Sequence, residues 1–413
     1  DFSYIDFNIP GACPRVIAPT SADLPAITNG VRIDGWTQPG SSANTRTAGD
    51  NATRCIVLAG GNGRTTGLRF SGGSNEQFWL QGLAFSGFNP ASGDGEALRM
   101  VGGFGNLIWG NQFGGTLSSG AGNLVLQPSE TNIVLTGFSS STVGGDLPSQ
   151  RNVIADADGP GVLVTSDTFF SSTGNEIINN LIGSYGLELT ANGNLTGITI
   201  RTADNTARGN TIINNDQDGV RMDVAAAGNN LIQANRIGIA DTICLGDFCF
   251  GGAAANGTNG INLFFGPHDN IVYDNVIKFN SNVGISIGSS TGGASLRNWL
   301  VGNELYGNGA QGTFFNVYNG ADNDAAASNQ DMANRGLNYP VITRAYGGTR
   351  KGWVEGSLAS TNGNYSIDVF TSTAPDAGFP RGEAEFFHRS FYGVSINNAP
   401  SGQNGNTSFK ASF

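Results

Sequence analysis

An Asn followed five residues later by a second Asn, with mostly apolar residues between them, recurs six times along this chain. The pairs are Asn106 with Asn111, Asn175 with Asn180, Asn210 with Asn215, Asn230 with Asn235, Asn270 with Asn275, and Asn298 with Asn303. Degenerate copies begin at Asn132 and Asn152, so the starts step by 26, 20, 23, 35, 20, 40 and 28 residues. A self-similar unit of this length cannot bury an apolar side alone and must stack on its neighbours. Between the Asn pairs runs a Gly followed by alternating apolar residues, as in Gly161-Val162-Leu163-Val164, Gly197-Ile198-Thr199-Ile200, Gly219-Val220-Arg221-Met222 and Gly284-Ile285-Ser286-Ile287. That alternation has the period of a strand, not of a helix.

Stacked short strands pointing the same way make parallel sheets, and the expected hand of the coil is right-handed. The predicted fold is therefore all-β: a right-handed parallel β-helix, a solenoid, with variable coil circumference. Asn at a fixed coil position suits the bend because its side chain bonds local backbone, tolerates the left-handed region and can bond the Asn of the next coil. The Asn column is read as structural. Composition agrees, with 63 glycines in 413 residues and only 13% charged residues against an ordinary ~25%. The repeat fades near Val317, and strand-like alternation with Gly-rich turns resumes at Leu337. The expected organisation is a β-rich N-terminal cap at 1–63, the helix at 64–318, a polar linker at 319–336, and a small antiparallel β-sandwich at 337–413.

The formal net charge of −11, with lysine only at positions 278, 351 and 410, argues against nucleic acid and anionic membranes as partners. No apolar run is long enough for a transmembrane helix. Four cysteines allow three pairings; proximity favours Cys244 with Cys249 and leaves Cys13 for Cys55. An even count in a Gly-rich, Lys-poor chain points to an oxidising compartment, hence a secreted or cell-surface protein, shown here already processed.

Several stretches carry a likeness to known proteins: "FNIPG" (7–11), "LPAITNGVRIDGWTQPG" (24–40), "VGGDLPSQRNVIADADGPGVLV" (143–164), "NNLIGSYG" (179–186), "NRIGIAD" (235–241) and "GLNYPVITRA" (336–345). On these the chain resembles the bacterial secreted and surface parallel β-helix proteins often headed by a CSLREA-type segment, of pectin-lyase-like architecture. "IDGWTQPG" is the most specific block. The chain departs from that pattern by lacking the CSLREA stretch, which fits either N-terminal processing or a sequence that is part of a longer protein, and by the insertion around Cys244 and Cys249. The resemblance implies the β-helix fold and export; the family has no single activity and no catalytic residues to carry over.

Registering coils on the Gly that opens each second strand sorts side chains into columns. Three positions before it the column reads Asp158, Asn194, Asp216, Gly257; two after it reads Leu163, Thr199, Arg221, Asn262, Ser286; four after it reads Thr165, Arg201, Asp223, Phe264, Gly288. This gathers Asp158, Asp216, Asp218, Arg221 and Asp223 as candidate catalytic residues, with Arg201, Asn262 and Phe264 as candidate substrate contacts. Two chemistries could use them. Asp158 and Asp216, two rungs apart at about 10 Å between backbones, could serve as acid and base of an inverting glycoside hydrolase. Alternatively Arg201 or Arg221 could neutralise a uronate during β-elimination, with the aspartates holding calcium, the one candidate cofactor. The plainer reading of Asp-x-Asp-Gly at 156–159 and 216–219 is turn chemistry and surface ion pairing.

Likeness to polygalacturonases stops at architecture, because neither His268 nor His388 lies in a Gly-His-Gly context. His268 reads as a turn residue. Trp36, Trp79, Trp109, Trp299, Phe264 and Phe314 are candidates for stacking on sugar rings, with core packing the default. Two functions follow: a secreted carbohydrate-active protein binding, and at most cleaving, a polysaccharide or cell-surface glycan, or a non-enzymatic adhesin-like surface protein in which the helix is a rigid spacer.

Overall fold

A computed structural model describes residues 2–61, 64–89, 95–119, 122–137, 140–168, 170–185, 193–245, 248–290, 293–309, 313–316, 340–347, 351–373, 384–400 and 403–413. The chain forms a right-handed parallel β-helix followed by a small antiparallel sandwich. Three ten-stranded sheets run the length of the helix. One coil shows the plan: Thr206–Arg208 lies in the first sheet, Thr211–Ile212 in the second and Val220–Met222 in the third. The segment expected as a cap already contributes to these sheets, with Ser3–Asp6 pairing Val31–Asp34 in the first and Arg15–Ile17 pairing Ile56–Ala59 in the second. The expected linker at 319–336 lies outside the described residues.

Each strand sends alternate side chains inward, and the inward residues stack into apolar columns. Ile177, Ala207, Ile232 and Val272 form one; Ile182, Ile212, Ile237 and Ile277 a second; Ile198, Val220, Ile261 and Ile285 a third. All are fully buried, and each Val or Ile contributes roughly 1.5–3 kcal/mol by leaving water. Nearer the N-terminus the columns widen to Phe, and the rings stack: Phe85 on Phe113 at 4.7 Å, Phe70 on Phe78 at 5.2 Å.

The corners are made by Asn, in three ladders rather than one. The first runs through Asn175, Asn205, Asn230, Asn270 and Asn298. The second runs through Asn111, Asn152, Asn180, Asn210, Asn235, Asn275 and Asn303. The third runs through Asn194, Asn215, Asn256, Asn280 and Asn308, and Asn132 bonds Asn194 from two coils away, the coil between them lending only the Ala157 backbone N–H to the same oxygen. In each, the side-chain amide donates to the side-chain oxygen of the next coil's Asn, which in most rungs also accepts that neighbour's backbone N–H, as Asn235 accepts both from Asn210. The ladders correct the phase read from sequence. The pair Asn210/Asn215 spans the second and third corners, whereas the other five pairs span the first and second. Asn152 stands at the second corner, whereas Asn132 lies within the third-sheet strand Thr131–Thr136. Along the second ladder the true steps are 41, 28, 30, 25, 40 and 28 residues. The two long coils shed their excess as antiparallel hairpins, Thr116–Ser119 with Gly122–Val125 and Ile239–Leu245 with Phe248–Ala253. The packed core thus keeps a near-constant circumference.

A second correction concerns the bend itself. The left-handed residue is the one before the ladder Asn, not the Asn: Asp204, Asn229, Asp269 and Arg297 at the first corner, and Asn179, Ala234 and Asp274 at the second, all with φ between 53° and 61°. Asp, Asn and Gly tolerate that conformation; Ala does so at a cost of roughly 1–2 kcal/mol. Ala234 is exposed and its backbone N–H already bonds Tyr273. Ala234→Gly should therefore raise stability by up to about 1 kcal/mol once the extra freedom of the unfolded chain is subtracted, read as a higher urea midpoint at unchanged slope.

The "IDGWTQPG" block is a clasp. Asp34 accepts the Trp36 backbone N–H, Thr37 accepts that of Phe7, and Gln38 bonds Ile9 in both directions. The Trp36 ring covers Gly82 and Gly110, where an added Cβ would lie 2.6 and 2.8 Å from the indole. Trp36 is thus structural. The disulfide expected from proximity joins Cys13 to Cys55. Backbone register sets Cys244 directly opposite Cys249 in their hairpin, and their side chains lie outside the described residues.

The sandwich packs Val341–Gly347, Gly352–Ser360 and Gly405–Ser412 against Gly363–Thr371 and Phe386–Ile396, around Val354, Val369 and Ala411. It meets the last coil through Asp368, which accepts the Gly302 N–H, and through Ala384, whose carbonyl accepts that of Leu305.

Candidate functional site

The third sheet aligns Leu163, Thr199, Arg221, Asn262 and Ser286 rung by rung, with Ile200, Met222 and Leu263 facing the core between the outward columns. On three successive strands, Thr196–Ile200, Val220–Met222 and Ile261–Leu263, and at their ends, this brings together Arg201, Asp218, Arg221, Asp223, Asn262 and Phe264. Asp158 and Asp216 sit apart from that group, at the bends that lead into their strands; both are exposed, and Asp158 accepts a hydrogen bond from Asn89.

Asp218 does not project into solvent as its column position implied. It is 1% exposed. One oxygen accepts from Thr258 Oγ1 at 2.6 Å, from Asn259 Nδ2 at 2.8 Å and from the Asn259 backbone at 3.2 Å; the other accepts from Arg221 Nε at 2.8 Å and Asn262 Nδ2 at 3.0 Å. The reason is register: Asn259 occupies the equivalent place one rung on, so its amide lies directly over the carboxylate. Burial pushes the Asp218 carboxyl up, but the hydrogen bonds from Thr258 and Asn262 and the Arg221 charge outweigh it and hold the group below its usual value. With both oxygens saturated by donors, Asp218 has no lone pair to offer a calcium ion. Among the described residues no group of three or more His, Cys, Asp or Glu side chains is placed to hold a metal.

Asp223 is bound to Arg201 across adjacent rungs in a two-pronged pair, 2.8 Å at each prong. Arg221 is steered by Asp218 and by Gln217 Oε1 at 2.7 Å. Phe264 lies over the next rung at Gly288, where a Cβ would come within 2.8 Å of the ring, and packs on Phe265 with centroids 3.8 Å apart. Sequence reasoning missed Gln217, Thr258 and Asn259. Asn259 was recoverable, since it precedes the registering Gly260 as Asp218 precedes Gly219. The Phe314 side chain lies outside the described residues. His268, read from sequence as a turn residue, instead forms an isolated parallel bridge with Gly228, and its Nδ1 meets Asp269 at 2.7 Å; Arg297 in turn holds Asp269 down to about 2.

The arrangement can present planar donors beside an aromatic ring on a rigid sheet. Asp218 is held below its usual value, the opposite of what a proton-donating general acid requires.

No known family profile matches this sequence, and no curated protein does. Among solved structures, that of the periplasmic alginate epimerase AlgG aligns over 70% of this chain and 72% of its own, with 15% identity and a TM-score of 0.37. The A-module of the Azotobacter vinelandii mannuronan C-5 epimerase AlgE6 aligns over 76% and 80%, with 12% identity and a TM-score of 0.37. A variant of AlgG is spanned over only 62% of its length, with a TM-score of 0.34.

Proposed function

We propose that the chain is an exported carbohydrate-active protein that binds polysaccharide over the third sheet, with Arg221 and Asn262 as hydrogen-bonding groups and Phe264 as the ring on which a sugar face rests. The observation that supports this is Asp218, buried beneath the patch, which fixes Arg221 and Asn262 in place beside Phe264 before any ligand arrives. Pre-ordered side chains lose little entropy on binding. Both arginines already carry an acidic partner, which favours a neutral glycan over a uronate. The same pairing favours binding over hydrolysis or elimination, with the CSLREA-type surface proteins as the kind of relative proposed. The Cys13–Cys55 bridge supports export, since such bonds persist in oxidising compartments.

The test is retardation of the protein in gels containing neutral or uronic polysaccharides, with reducing ends and ultraviolet-absorbing unsaturated products followed in parallel. Phe264→Ala and Asn262→Ala should each weaken binding about tenfold, equivalent to about 1.4 kcal/mol. Retardation by no polysaccharide would leave the rigid-spacer reading in possession. Release of reducing ends or unsaturated product would instead make the protein an enzyme.

A further inference from the structure

The outer face of the first sheet carries aromatic residues that the third-sheet site does not use. Its outward column runs Tyr4, Arg32, Trp79, Leu107 on successive rungs, and the neighbouring column Asp6, Asp34, Gln81, Trp109. Tyr4 is 66% exposed, and Trp79 and Trp109 are half-buried. Phe2 stands edge-on between Tyr4 and Trp79, at centroid distances of 5.4 and 5.8 Å. Arg32 is held flat on the sheet by the buried carboxylate of Asp34, which is itself anchored by the Trp36 N–H.

We infer that this face is a second glycan surface, a stacking platform for a neutral β-1,4-linked polysaccharide lying along the helix axis. Three features select that occupant. Tyr4 and Trp79 share a column two rungs apart, about 10 Å at ordinary strand spacing, which is the interval at which a β-1,4-linked chain presents the same sugar face again. Arg32 and Gln81 lie between and beside the rings, and planar polar groups flanking a ring match the equatorial hydroxyls at a sugar's rim. The charge near the rings is Asp6, Asp34 and Glu76 against Arg32, with Glu76 accepting the Gly30 N–H. That balance repels uronates and anionic lipid headgroups and leaves a neutral chain. The centre of a protein interface is depleted of charged residues, whereas the Arg32–Asp34 pair lies at the centre of this face.

This surface is independent of the third-sheet patch, and the variants separate the two. Hydroxyethylcellulose and a soluble β-1,4-xylan serve as probes in affinity gels, with an α-1,6-linked dextran as control. The double variant Tyr4→Ala/Trp79→Ala, made in the Phe264→Ala background so that the third-sheet ring does not contribute, should weaken retardation by the β-1,4-linked chains at least tenfold relative to Phe264→Ala alone, with dextran inert throughout. Tyr4→Ala alone in that background, on an exposed edge residue, guards against misfolding and should show a several-fold loss at an unaltered unfolding midpoint. Equal retardation of Phe264→Ala with and without the double substitution overturns the inference. So does a concentration-dependent rise in molecular mass by light scattering that Tyr4→Ala abolishes while no glycan binds, because the face is then a contact between copies.

Discussion

Asn235→Asp is expected to destabilise the protein by about 3–5 kcal/mol at neutral pH, although it changes a single atom, because it leaves a buried charge without a compensating partner. Asn235 is fully buried. Its Nδ2 donates to the Ala207 carbonyl and to Asn275 Oδ1, both at 2.9 Å, while its Oδ1 accepts twice from Asn210. An aspartate would turn its second oxygen toward two acceptors in a dry corner. Such a carboxyl titrates above its unfolded value of about 3.9, since burial and facing oxygens both disfavour the anion. A raised folded pKa contributes stability that is fully present below about 3.9 and lost as pH rises through the higher folded value. The variant should therefore approach wild-type stability on acidification to about pH 4, seen as convergence of urea midpoints. Because coils couple only to their neighbours, hydrogen exchange should accelerate first at the two coils flanking Asn235. A deficit that is flat with pH would show that the ladder amide does not donate as described.

Asp218→Asn carries the opposite sign. Here five donors converge on one buried carboxylate, and an amide would point its own N–H at some of them while leaving Arg221 without its counter-charge. The expected loss is again about 3–5 kcal/mol. Asp218 has its pKa depressed in the fold, so its contribution is present above the unfolded value of about 3.9 and is lost as pH falls through the lower folded value. Wild-type stability should thus decline on acidification, and Asp218→Asn should flatten that limb while lowering the plateau near neutrality. An acid limb of unchanged depth in the variant would show that other carboxylates carry it. Because Asp218 also orients Arg221 and Asn262, glycan affinity should fall in Asp218→Asn more than in Asp216→Ala, whose carboxylate stands at an exposed bend.

The two aspartates show where sequence reasoning reached and where it stopped. Spacing to the Gly that opens a strand placed Asp218 and Arg221 on the same rung correctly, because a parallel stack keeps register wherever the core residues match. It gave no warning that Asp218 would be covered, since what covers it, Asn259 and Thr258, arrives from the next coil after a hairpin insertion of unpredictable length. The Asn spacing of five was likewise visible, but it recurs at two different pairs of corners, so counting alone could not tell Asn210/Asn215 from Asn230/Asn235.

The sequence by itself determined the class of fold: alternating apolar residues returning at corner Asn residues can be buried only by stacking coils, and that requirement is local to each repeat. For the cysteines it left three pairings open, and the fold joins Cys13 to Cys55. Tertiary structure alone decided which ladder each Asn joins, which residue takes the left-handed bend, and which charges are spent on one another. Those outcomes depend on what lies one rung above and below, a distance of about 4.8 Å in space but 21 to 41 residues along the chain.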